Sequence, residues 1–458
     1  YLLMSGRNIQ FRRNKESNLR LLTFFIMLLM SLSAMATNKI YVTQAGASLV
    51  FDVLQDGNGN MIGNSTTAST ASGSATNFNI DQVGDSNIIT FDIHGDSFTG
   101  VWSTTGNSNN IDFNCDSADA TSGCDDVNAV ITFTGNSQDI DLDIGLTSSK
   151  SGDNADIDIV GASGTDSTVV NATIDGTSAV LSLTIDGDTN NYLINIDDNG
   201  DVNGHTLIMT QTGITADVDV VQSGAYDNIA TVTSTGDSQN IDINQTAGGT
   251  ITLVTTGSTA SAVKTVNINQ TAHATFTASA GLDGAGGTYD IDQTAASAAM
   301  TFDVSGASAA VTANQTAAAT LTLTQPGASA NINVLQTAAA TATLDLDAGT
   351  LTLNETDEKF TDLTLGTTGI LEVSPGNSLT LTGDLDNENT TDGIKLLADN
   401  TGYAQLLTTS ASALTDKGTT YAEQYFTASS KEGWRAVSSP VATTLADIDD
   451  DFETYYPD

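Results

Sequence analysis

The sequence predicts an all-β protein: a parallel β-solenoid of two-strand coils, each about 22 residues long, followed by a strand-rich C-terminal extension. Three observations predict it. Apolar and polar residues alternate over short stretches, glycine-centred turns return about every 11 residues, and a pentapeptide ending in QTA recurs down the chain.

The strands come from the alternation. Ile241 and Ile243 precede Gln245, Val266 and Ile268 precede Gln270, and Tyr289 and Ile291 precede Gln293, with Asp, Asn or Thr between them. The copies "ANQTA" and "VLQTA" add Gln315 and Gln336. The same spacing stands before Gln44, Gln55, Gln82, Gln211, Gln222 and Gln325. Period-two alternation puts each glutamine on the apolar side of its strand, pointing inward. A buried amide is costly unless both its donor and its acceptor are paired. Coils stacked about 4.8 Å apart would satisfy it, glutamine on glutamine. These eleven glutamines are therefore expected to form a structural ladder.

The turns come from glycine with Asp, Asn or Ser, as in "QVGDSN", "TTGNSNN" and "STGDSQN" around Gly84, Gly106 and Gly236. From Thr37 to Gly349 the period allows about 14 coils, or about 65 Å of stack. Aromatic residues make up 6% of the chain and the segment 272–342 is rich in alanine, so a narrow core of small side chains is expected. No helical periodicity follows residue 36. An immunoglobulin-like sandwich array is the competing architecture, but its longer strands would not return one inward residue at a short fixed period.

Residues 1–36 read as a signal peptide: a basic stretch with Arg7, Arg12, Arg13, Lys15 and Arg20, the apolar run "LLTFFIMLLM", and a small-residue cleavage site ending at Ala36. Met4 is the expected start. No later stretch is apolar enough to span a bilayer, so no membrane insertion of the mature chain is expected. The solenoid domain is expected at 37–349. The strand-rich extension is expected at 350–458, continuing beyond Asp458.

The chain carries 55 acidic and 13 basic residues and a net charge of −42. That excludes a nucleic-acid partner, since phosphate neutralisation needs cations. An extracellular or cell-surface location follows from the leader, and it permits a disulfide between Cys115 and Cys124 around "DSADATSG". His94, His205 and His273 have no ligand spacing with that pair, so no metal site is expected there.

Catalytic machinery is not expected. Paired outward carboxylates, as in "IDLDI", could imitate a glycosidase pair, but the sequence offers few cations to hold a substrate. No cofactor is expected. Weak calcium binding by acidic turns is the exception, with Asp197, Asn199 and Asp201 at alternate positions of "NIDDNGDVNG". Ice binding by a flat threonine face is suggested by "ATLTLTQ" and "TATLDLDAGTLTLN". Outward positions elsewhere mix Asp, Asn, Ser and Thr, so no uniform threonine array is expected across the coils.

The segment "VVQSGAYDNIATVTSTGDSQNIDINQ" resembles the curlin repeat. Gln222, Gly224, Asn228, Ala230 and Gln245 match its pattern, with one residue more before Asn228, and Gln82, Gly84 and Asn87 match again. The resemblance runs loosely over residues 38–345. It implies a secreted, amyloid-like, curlin-like β-solenoid of a biofilm matrix or adhesive surface. In the tail, Trp434, Arg435, Ser438, Ser439 and Pro440 resemble a "W-R-x-x-S-S-P" segment of bacterial surface proteins exported by type IX secretion. The two together suggest a cell-surface structural or adhesive protein that self-associates through its solenoid ends or contacts other matrix components. The alternatives are a monomeric adhesin stalk and a solenoid binding ice or glycan.

Overall fold

The computed structural model describes residues 38–423 apart from short segments between strands, the longest being 116–123, 146–152, 198–203, 258–263, 279–286 and 304–309. The expected signal peptide and the Trp434–Pro440 segment lie outside the described residues. Among the described residues there is no helix; the chain is a parallel β-solenoid.

Alternation in the sequence becomes alternation in burial. In Asn77–Val83, Phe78, Ile80 and Gln82 are buried while the residues between them face out. In Gln239–Gln245, Gln239, Ile241, Ile243 and Gln245 are buried. β-branched and aromatic side chains suit such a half-buried pleat, and each fully buried Ile or Phe contributes about 1.5–3 kcal/mol of transfer free energy.

The first strands bond in parallel to the strand three elements further on, and from Asn77–Val83 to Thr320–Gln325 the step is two. Val50–Asp56 pairs with Asn77–Val83, which pairs with Thr99–Thr105. In the second ladder Ile88–His94 pairs with Asn110–Cys115, and that strand with Asp139–Ile144. One coil thus gives one strand to each of two facing ladders. The coils average about 24 residues over about 12 turns, rather than 22 residues over 14. The reason is that coil length varies. Stacked turn positions are 22 residues apart at Asn87 and Asn109 but 29 apart at Asn107 and Asn136, where the cysteine segment is inserted.

The core is not uniformly small. Phe78 and Phe91 stack with ring centroids 4.6 Å apart, and Trp102 meets Phe113 at 4.9 Å. In the alanine-rich stretch, the buried strand positions include Phe276, Tyr289, Met300, Phe302, Leu321 and Leu323. Many of its alanines fall in short segments outside the described residues.

The expected boundary after Gly349 falls inside one strand, Thr341–Leu353. Its first part continues one ladder, with Leu344 beside Leu323, and its last part continues the other, with Leu351 beside Ile332. Asp362–Val373 repeats this arrangement. A third ladder then opens through Glu358–Phe360, Ser378–Leu381 and Gln405–Thr408, so the coil becomes three-sided. The strands of the extension therefore stack on the solenoid as far as Thr420–Ala422.

Candidate functional site

The longest inward polar file is built on the second ladder. Backbone register places Gln222, Gln245, Gln270, Gln293, Gln315 and Gln336 one above another. In the described part each amide donates to the one before it. Gln245 Nε2 donates to Gln222 Oε1 at 2.8 Å, Gln270 to Gln245 at 2.9 Å and Gln293 to Gln270 at 2.8 Å. The second amide hydrogen reaches a backbone carbonyl across the coil, Thr250 O at 3.4 Å for Gln245 and Ala299 O at 3.1 Å for Gln293. All four side chains are buried. The side chains of Gln315, Gln325 and Gln336 lie outside the described residues.

The other glutamines divide. Gln82 donates to Gln55 at 2.7 Å, a two-member file on the first ladder that ends where Thr104 takes the next position. Gln211 also lies on the first ladder, between Ile185 and Ser234, so it has no glutamine neighbour. Its amide instead donates to Gly187 O and its oxygen accepts from the Tyr192 hydroxyl. Gln44 stands beside Ala71, half-buried, and Gln325 stands beside Leu346. A single ladder through all eleven residues does not form, because strands of the two ladders carry the same motif.

The turns contain two further files, which the glutamine motif does not reveal. In "GDSN" the glycine and serine take positive φ, +126° at Gly84 and +60° at Ser86. This shape lets the buried Asn87 amide donate back to Gly84 O, while Asn87 Oδ1 accepts the backbone N–H of Asn60 at 2.9 Å. Asn109 does the same for Asn87. On the outside of the turn, Asn58, Asp85, Asn107, Asn136, Asp166 and Asp188 each accept the backbone N–H at the equivalent place one coil on. The G-x-x-N spacing was the available signal for the first file. The second was hidden among acids that read as solvated.

The two outer faces differ in chemistry. On the second ladder, Asp219, Asp242, Asn267 and Asp290 share one outward file, and Asn240 donates to Asp217 at 2.7 Å. Partial burial, and then the neighbouring Asp217 and Asp242, raise the Asp219 carboxyl above its ordinary range; burial and Asp292 do the same to Asp290. A shallow furrow runs along these residues. Earlier on the same face Asp112 and Asp141 are raised by burial and by neighbouring carboxylates.

Over its later coils the first ladder carries threonine instead. Thr231, Thr252, Thr277, Thr301 and Thr322 occupy one outward file, and backbone register carries it to Thr343. Thr250 and Thr275 flank Thr252 and Thr277 on one side and Thr233 flanks Thr231 on the other, while Ile229, Ala299, Val254 and Asp303 hold other flank positions. The file is confined to these coils: in the earlier ones Asn79, Val101, Val130, Asp158, Ser182 and Ile208 hold the same position, so no uniform threonine array runs across the coils, as expected. Unequal coil lengths scatter the threonines in the sequence, and strand register gathers them.

Cys115 and Cys124 are joined by a disulfide, with Cα atoms 5.9 Å apart, and both are buried. Among the described residues no group of three or more His, Cys, Asp or Glu is placed to hold a metal ion. Asp197 accepts the Ser223 hydroxyl at 2.7 Å, while Asn199 and Asp201 lie outside the described residues. Ladder, turn files and two contrasting faces define a long parallel β-solenoid stabilised by stacked amides. No protein family, curated protein or solved structure matches the chain.

Proposed function

We propose that this chain is a structural, adhesive component of a cell surface or extracellular matrix, whose stacked coils associate end to end. The observation that carries the reading is the run of amide-to-amide hydrogen bonds from Gln222 to Gln293, repeated coil after coil. Such a file stiffens a rod along its axis. Open parallel ladders offer unpaired N–H and C=O groups to a second chain. The leader-like N-terminus, the acid excess and the likeness to curlin repeats support export and a matrix role. Type IX export and the biofilm setting belong to the same proposal.

Electron microscopy of the purified protein over a concentration series tests this, with and without calcium. Filaments that lengthen with concentration and show a cross-β spacing along their axis are expected. Short rods of constant length at every concentration would overturn end-to-end association.

A further inference from the structure

We propose that the threonine face of the first ladder, centred on Thr252 and Thr277, is an ice-binding surface. The partner is crystalline water, and the proposal does not depend on whether chains assemble.

Three features carry it. The first is regularity in two directions. Parallel register spaces Thr231, Thr252, Thr277 and Thr301 by about 4.8 Å along the solenoid. Alternate residues such as Thr250 and Thr252, or Thr275 and Thr277, are about 6.6 Å apart along a strand. The first repeat is close to the shorter oxygen repeat on a prism face of ice, and the second falls about a tenth short of the longer one. The second is rigidity. The file is backed by Ile251, Leu253, Phe276, Met300 and Phe302, all buried, so the hydroxyls are held in place before ice arrives.

The third is chemistry. Among the described residues the Thr231, Thr252, Thr277 and Thr301 side chains have no hydrogen-bond partner within the protein. Their hydroxyls remain available to water, and their methyl groups leave shallow apolar troughs in which water is ordered rather than bound. The chain carries a charge of −42, yet this file from Thr231 to Thr322 holds no ionisable residue, and Asp303 beside Thr301 is the carboxylate that flanks it. A carboxylate would impose its own hydration shell on the first water layer, as the Asp219–Asp290 file of the opposite face does. The large apolar residues exposed along this stretch of the ladder are Ile208 and Ile229, not the aromatic platforms a sugar ring would stack on.

The test is nanolitre osmometry on the purified protein, reading the gap between melting and freezing points together with crystal shape. Faceted crystals and a measurable gap are expected. Thr252→Lys combined with Thr277→Lys should abolish both. Asp242→Lys on the opposite face should leave both unchanged, and far-UV circular dichroism confirms that each variant keeps its β signal. Round crystals without a gap in the parent protein would overturn the proposal, as would a gap that survives both lysines in a folded variant.

Discussion

Replacing Gln245 by leucine removes the middle of the amide file without changing side-chain size much. Two groups lose their partners: Gln222 Oε1 loses its donor, and Gln270 Nε2 keeps only its long 3.4 Å contact with Thr275 O. Each buried polar group left unpaired costs about 1–3 kcal/mol, or about 2–6 kcal/mol for the two. The added apolar burial offsets about 1–2 kcal/mol of that. Gln245→Leu should therefore destabilise by about 2–3 kcal/mol, the centre of a range of about 0–5 kcal/mol. Changing Gln222, Gln245, Gln270 and Gln293 to leucine together removes donors and acceptors in pairs, so the fourfold variant should cost no more than the single one. Solenoids open locally, so the assay is hydrogen exchange at the Thr246 and Thr271 amides, which bond to Gln222 O and Gln245 O. Denaturant melts provide the global comparison. A neutral single substitution, or a fourfold cost equal to the sum of four single ones, would refute the ladder as a coupled unit.

Three further outcomes follow from the geometry. A Cβ on Gly106 would sit 2.3 Å from Gly84 O, whereas one on Gly164 meets nothing within 4 Å. Thermal melts should thus show Gly106→Ala far more damaging than Gly164→Ala, which pays only for its positive φ, about 1 kcal/mol. Asp112 and Asp141 have folded-state pKa values raised above 3.8, so the folded protein binds protons more readily than the unfolded chain. Their penalty is present at neutral pH, shrinks as pH falls through the raised folded values, and is gone below 3.8. Asp141→Asn should raise the melting temperature at pH 7 and narrow the difference between pH 7 and pH 4.5. Reducing the Cys115–Cys124 bond releases a loop with a sequence separation of 9 and should lower stability by about 2–3 kcal/mol in a melt with reductant.

The strands and their inward faces were legible in the sequence, because period-two alternation dictates burial as directly as it does in Asn77–Val83. The stacking of Gln222 on Gln245 was legible for the same reason. Which ladder a glutamine joins was not: Gln211 and Gln222 carry similar motifs about half a coil apart and fall on opposite sheets. Coil length sets that assignment, and it varies with insertions whose size no local pattern announces. The threonine file was obscured by the same variation. The structural work of the turn acids was invisible because an Asp that accepts a backbone N–H in the next coil, as Asp85 does from Asn107, looks like any solvated turn residue. The extension beyond Gly349 lost its glutamine signature, yet its leucines at 351, 353, 363, 365 and 371 keep the inward period and so keep the stack.

The most direct test of the account is the register itself. Thr252→Cys with Thr277→Cys places two thiols on adjacent strands of the first ladder, and Thr252→Cys with Thr301→Cys places them two strands apart. Adjacent parallel strands bring Cα atoms about 4.8 Å apart, within disulfide range, while the second pair is near 10 Å and out of it. Mild oxidation of dilute protein followed by peptide mapping should show the first bond and not the second. Bonding in the second pair, or in neither, would contradict the stacked register on which the amide file and the threonine face both rest.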